Sequence, residues 1–352
     1  YTVAPAEQTT RGTTVTVYLK HDAKELAQPY RVKQIIKKHS DFVPFPIFYG
    51  DEQVNQTKPL WRRAPRDVEA DAYTELYRQL TMDWDAPLHH LHISTDAPLD
   101  LHAILFIPSK RERGVIERRV EGTIKLYSHS VLIQEETKDL LPAYFRFIEG
   151  VVDSDDLPLN VSRESVQRTS ELQRIRKTLT GRLTKELAQM AENQPETYHT
   201  FWTEFGPFLK EGVAIEPSGK DDLLPLLRFD STKGDELVSL ARYKERMVEG
   251  QQAIYYVLAS DLGSARQSPH LDALQARNIE ALLLPDLVDS FLVSSLREYE
   301  GVPLKNADDP NLDLPALPED ASEDAVAPEM FERLAAWMKD VLGERVTEVR
   351  AS

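Results

Sequence analysis

Residues 151–168 read VVDSDDLPLNVSRESVQR. Pro158 pushes Leu157 toward extended backbone, so DSDDLPL is expected to be a loop, and the polar, periodic run from about Ser162 a helix leaving it. Asn160 and Ser162 are both good N-cap residue types. A helix N-terminus carries partial positive charge and disfavours a cation in its first turn by roughly 0.3–1 kcal/mol, yet Arg163 stands there. Two readings follow. A guanidinium beside free backbone N–H groups suits an external polyanion, phosphate being the commonest. Alternatively, Arg163 pairs with Asp153, Asp155 or Asp156 of the same loop. Gln167, one helical turn on, shares the face of Arg163.

Strand and helix signals alternate on either side of this stretch. Ahead of it, strands are expected at residues 13–19, 42–49, 91–94, 101–107 and 124–133. Pro44 and Pro46 give the second of these the character of an edge strand. Helices are expected from Pro29, over 68–80 and over 139–148. Behind the stretch, Leu172, Ile175, Leu179, Leu183 and Leu187 form one stripe of a helix over 163–190, and a second helix over 196–209 presents Tyr198, Phe201, Trp202 and Phe205. Adjacent helices of this kind are expected to pack as a small bundle. Strands at 253–259 and 280–284, with helices over 268–277 and 287–299, then make a smaller unit. Between Lys305 and Arg333 there is no basic residue while proline and acid recur, which marks a linker. Residues 328–342 follow as an amphipathic helix with Phe331, Leu334, Ala335, Met338 and Leu342 on one side. The expected fold class is α/β: a layered α/β domain, a short helical bundle and a second, smaller α/β unit.

Composition narrows the functional classes. The 352 residues are enough for two or three domains, each with its own core. No apolar run approaches the ~20 residues of a membrane span, and residues 1–11 lack the basic start and apolar core of a signal peptide. The absence of cysteine excludes disulfides and thiolate metal sites. A net charge of −16 opposes general nucleic-acid binding, although Arg174, Arg176, Lys177, Arg182 and Lys185 give one helix a basic face. His89, His90 and His92 crowd one segment without a fixed carboxylate partner, and no metal site is expected from them. No glycine-rich phosphate loop and no nucleophile elbow occur. The chain starts without methionine and reads as a fragment.

The run GVVDSDDLPLNVSRE resembles the catalytic loop in the middle domain of the heat-shock-protein-90 chaperones, in their bacterial form. The resemblance covers nearly the whole chain, through RGTTVTVYLK, KPLWRR, DWDAPL, AILFIPS, HTFWTEFG, LLRF, MVEGQQAIYY, SPHL, EALLLPD and LGERV in order. It implies the last strand and helix of an N-terminal ATPase domain at 1–40, and the large α/β part of a middle domain at 41–160. A helical bundle at 161–235, a small α/β part at 236–306, an acidic linker at 307–328 and the start of a C-terminal dimerisation domain at 329–352 complete it.

The same resemblance implies Arg163, Asn160 and Gln167 as catalytic residues, Arg163 and Thr13 as nucleotide-binding, and Trp61, Phe291 and Ser294 as client-binding. For Trp61, in KPLWRRAP, exposure and burial are both open; for Phe291, helix packing is the competing role. ATP and Mg2+ are implied for the complete protein, with none expected bound to this fragment. The implied partners are client proteins, the N-terminal ATPase domain of the same chain and a second copy in a homodimer, with no nucleic acid and no membrane, in the cytoplasm. The implied function is that of a chaperone segment completing a split ATPase site. The competing reading is a non-catalytic client or co-chaperone interaction module with Arg163 in a structural ion pair. One departure stands out: after AILFIPS the family has an alanine-proline-aromatic stretch, whereas this chain reads KRERGVIERR, with Arg113 at the aromatic position.

Overall fold

In the computed structural model, the described residues are 11–111, 122–157, 170–216, 219–310, 312–315, 328–346 and 349. Residues 13–19 do not form the expected strand. Their alternation is that of a strand, but no neighbour lies beside them among the described residues, so the backbone groups have no ladder to join. Helix α1 (Pro29–Ser40) begins at its proline as expected. The expected strand at 42–49 shrinks to a two-residue hairpin of β1 (Phe48–Tyr49) and β2 (Glu52–Gln53). Pro44 and Pro46 have no N–H to give to a longer ladder. Helix α2 (Ala70–Thr81) buries Tyr73, Leu76 and Tyr77.

The first sheet contains β3 (His89–Thr95), β4 (Leu101–Ile107), β5 (Ile124–Ser128), β6 (Val131–Gln134) and β7 (Glu149–Asp153) in the order β3-β4-β7-β5-β6. Only the β5–β7 pair is parallel. Every residue of β4 is buried, because both faces of the sheet are covered. Side chains alternate across a strand. Ile104 and Phe106 join Trp61, Tyr73, Leu76 and Tyr77 on one side. Ala103, Leu105 and Ile107 join the larger core on the other, which takes in the stripes of α3 (Ser170–Asn193) and α4 (Pro195–Ile215). The part of the expected helix ahead of Ser170 lies outside the described residues.

Two expectations near the loop are corrected. Strand β7 was not foreseen, although it lies beside β4 and β5 inside the sheet. Gly150 makes that close pairing possible: its φ is +150°, and a Cβ there would stand 2.2 Å from the carbonyl oxygen of Ile104. The expected helix over 139–148 is one 3-10 turn, Ala143–Phe145. Leu140, Leu141, Tyr144, Phe145, Phe147 and Ile148 are all buried, more apolar side chains than one helix face could turn inward. Phe147 stacks on Phe205 of α4 at 4.4 Å between ring centroids.

After the short helix α5 (Lys220–Leu223), the second sheet combines β8 (Asp230–Ser231), β9 (Ile254–Leu258), β10 (Ala281–Leu284), β11 (Glu298–Tyr299) and β12 (Val302–Asn306). The order is β11-β12-β9-β10-β8, with β12, β9 and β10 mutually parallel. The connections carry α6 (Leu240–Glu245), α7 (Leu262–Arg266), α8 (Asp272–Gln275) and α9 (Asp289–Ser295). The helix expected at 268–277 is divided at Leu271 between a 3-10 turn and α8. The helix expected at 287–299 is shorter, because the chain turns back at Leu296 into the β11–β12 hairpin. Helix α10 (Pro328–Leu342) has the expected bounds. The fold is α/β, as the alternation implied.

Candidate functional site

Asn160, Arg163, Gln167 and Arg113 lie outside the described residues; residues 153–157, which lead toward Asn160 in the sequence, lie within them. Strand β7 brings Asp153 into the interior with no exposed surface. A buried carboxylate is tolerated only with partners, and Asp153 accepts four hydrogen bonds from three residues. Its Oδ2 accepts from Arg62 Nε at 2.6 Å, Trp61 Nε1 at 3.0 Å and Ser130 Oγ at 3.1 Å, and its Oδ1 accepts from the Ser130 backbone N–H at 3.2 Å. Burial alone would raise the Asp153 pKa. The hydrogen bond and charge of Arg62, with Trp61 and Ser130, reverse this and hold the carboxyl below the usual range. Arg62 then reaches Asp155 with its other nitrogens, the shorter contact being 2.5 Å.

A second set of bonds fixes the same segment from the β3–β4 side. Ser154 Oγ donates to the Asp100 carbonyl at 2.6 Å, the Asp155 backbone N–H to Asp100 Oδ1 at 3.0 Å, and the Asp100 backbone N–H to Asp156 Oδ2 at 3.0 Å. Ser128 Oγ donates to the Leu157 carbonyl at 2.6 Å. The loop therefore leaves the sheet from a rigid base, with each of its three aspartates engaged. None of Arg62, Ser130 and Asp100 was singled out from the sequence. Only the adjacency of Arg62 to Trp61 in KPLWRR hinted at a shared role.

Trp61 is a correction: it is 1% exposed, packs its ring against Phe42 and Tyr127, and spends its N–H on Asp153. A buried indole needs such a partner, so the side chain is not free to anchor a client. Its carbonyl accepts from His92 Nε2 at 3.2 Å, and His92 Nδ1 meets Tyr73 Oη at 2.8 Å. Burial pushes the His92 pKa down, in keeping with one donating and one accepting nitrogen. His89 bonds Glu186 at 2.8 Å, and His90 stacks on Tyr73. For Phe291 it is the competing role, helix packing, that does not hold. The residue is 68% exposed on α9, where Leu292 supplies the buried contact instead. Ser294 is exposed beside it, its Oγ donating to the Ser290 carbonyl. Leu287, four positions before Phe291, is 94% exposed and was not foreseen. Thr13 is exposed and far in sequence from the loop root. No described helix is long and apolar enough to cross a membrane.

A family model described as Hsp90 protein matches residues 48–352. The chain is 39% identical over 357 residues to the protein named "Chaperone protein HtpG" of Desulfitobacterium hafniense, covering 100% of this chain and 58% of that protein. It is 40% identical over 357 residues to the protein of the same name in Roseobacter denitrificans, covering 100% and 57%. In Myxococcus xanthus the figures are 39% over 368 residues, 100% and 56%. The chain thus spans a little over half the length of these curated relatives. A match of this extent, over both sheets and the loop between them, shows that the chain belongs to the Hsp90 protein family.

Proposed function

We propose that this chain is the middle segment of an ATP-dependent molecular chaperone of the cytoplasm and that it completes a split ATPase site. In this reading the end of an N-terminal ATPase domain occupies 1–40, and the middle domain runs over 41–160, 161–235 and 236–306. The linker is 307–328 and the start of a C-terminal dimerisation domain 329–352. ATP and Mg2+ bind outside this chain's own residues, apart from Thr13 and Arg163. Arg163 reaches the γ-phosphate, with Asn160 and Gln167 holding the loop. A guanidinium brought to a phosphoryl group in this way neutralises charge that develops in the transition state, the logic of an arginine finger. Clients meet the exposed patch of Leu287, Phe291 and Ser294.

The observation that carries the catalytic part is the engagement of the loop's own acids. Asp153 and Asp155 share Arg62 as their cation. That removes two of the three candidate ion-pair partners of Arg163 and favours an external anion. Asp156 accepts a backbone N–H and has no cation among the described residues, which is what favours the second reading, an interaction module with Arg163 paired locally.

The test is ATP turnover by this chain alone and mixed with an N-terminal ATPase domain. No turnover alone and a stimulation on mixing that Arg163→Ala removes would support the split site. Turnover unaffected by mixing would leave the interaction module.

A further inference from the structure

At the turn between β3 and β4, two carboxylates and one imidazole converge. His102 Nε2 lies 3.7 Å from Asp96 Oδ1 and 3.7 Å from Asp100 Oδ2, and the three ligand atoms all fall within 4.8 Å of one another. The imidazole is held from behind: its Nδ1 meets Ser94 Oγ at 3.1 Å across the β3–β4 pair. The His102 side chain is only 9% exposed, so this nearly buried ring aims Nε2 into the cluster with no hydrogen bond to either carboxylate, 3.7 Å being too long for one. Asp100 is oriented in the same manner. Its Oδ1 takes the Asp155 N–H, which turns Oδ2 toward His102. Among the described residues neither Asp96 nor Asp100 has another ion-pair partner.

We infer that Asp96, Asp100 and His102 bind one divalent transition-metal ion, Zn2+ being the best match to the donor set. Two ligands about 2.0–2.2 Å from a shared tetrahedral ion stand roughly 3.4 Å apart, so the two 3.7 Å spacings from His102 need only a slight closure and the third, within 4.8 Å, a movement of the exposed Asp96. One nitrogen and two oxygens rank Zn2+ above Mn2+ and Mg2+, which prefer all-oxygen sites. Ser94 and the Asp155 N–H are outer-shell partners of the kind that fix ligand orientation. Asp96, 90% exposed on its turn, is the arm that closes over the ion. The ion offsets the mutual repulsion of Asp96 and Asp100 and ties the β3–β4 turn to the root of the loop, because the Asp100 carbonyl holds Ser154. This site is independent of any role for Arg163.

The experiment is calorimetric titration of the chelator-treated chain with ZnCl2, paired with melting curves. One equivalent should bind and raise Tm. Asp96→Asn, at an exposed position that leaves the fold intact, should weaken binding at least 10-fold and remove the Tm rise. His102→Gln, its fold checked by circular dichroism, should abolish binding, while His89→Gln on the neighbouring strand should change nothing. No stoichiometric binding, an affinity unchanged in Asp96→Asn, or a loss in His89→Gln equal to that in Asp96→Asn would overturn the assignment.

Discussion

Arg62 and Asp153 stand 91 positions apart in the chain and 2.6 Å apart in the fold. The bond joins the 3-10 turn Leu60–Arg62 to the end of β7, and thereby fixes where the chain leaves the sheet after Asp153.

Arg62→Ala is expected to destabilise the chain by about 3–5 kcal/mol at neutral pH, since it strands a fully buried carboxylate. The pH dependence has a definite sign. In the wild type the folded pKa of Asp153 is below the unfolded one, so its contribution is present above roughly pH 4 and is lost as pH falls through the folded value. Without Arg62, burial dominates and the folded pKa rises above the unfolded one. The deficit of the variant should therefore shrink on acidification from pH 7 toward pH 4.5, where Asp153 can take a proton. Urea unfolding at both pH values measures it, and a constant difference would contradict the linkage.

Trp61→Ala should cost about 3–5 kcal/mol of stability, the range for removing a large buried aromatic. Trp61→Phe keeps most of the packing but leaves Asp153 short of a donor, for about 1–3 kcal/mol. Denaturant midpoints decide. A loss below about 1 kcal/mol in the alanine variant would mean that the ring is not part of the core.

Phe291→Ala should change stability by no more than about 0.5 kcal/mol, because the side chain projects outward. Binding of a fluorescently labelled unfolded protein should weaken by about 2 kcal/mol if Phe291 anchors clients. Leu287→Ala should act in the same direction and more weakly. Unchanged anisotropy titrations for both variants would remove this patch from the client surface.

Elements with strong local signals were legible in the sequence. The stripe from Leu172 to Leu187 and the helix Pro328–Leu342 each follow from apolar spacing and a proline near the terminus. Legibility failed where long-range pairing decides. Residues 13–19 alternate like a strand but have no neighbour among the described residues, whereas β7 is short, contains Gly150 and is a strand because β4 and β5 flank it. Prolines and arginines around Trp61 left exposure and burial both open; the partner that its buried N–H meets, Asp153, is 92 positions away. Conversely, Phe291 sits in an apolar run whose inward place is taken by Leu292. The candidate site was legible as a motif in residues 151–168, but its supports, Arg62, Ser130 and Asp100, come from distant segments and carry no local mark.

The most direct test of the split-site account is the kcat for ATP and the nucleotide Kd of Arg163→Ala and Arg163→Lys in the complete protein. The account predicts near wild-type Kd with turnover reduced by about 10³-fold or more in the alanine variant, the scale of an arginine finger. The lysine variant should recover little, since an ammonium lacks the planar, two-pronged contact of a guanidinium. Wild-type turnover in Arg163→Ala, with the fold intact, would contradict it and reduce Arg163 to a local ion pair.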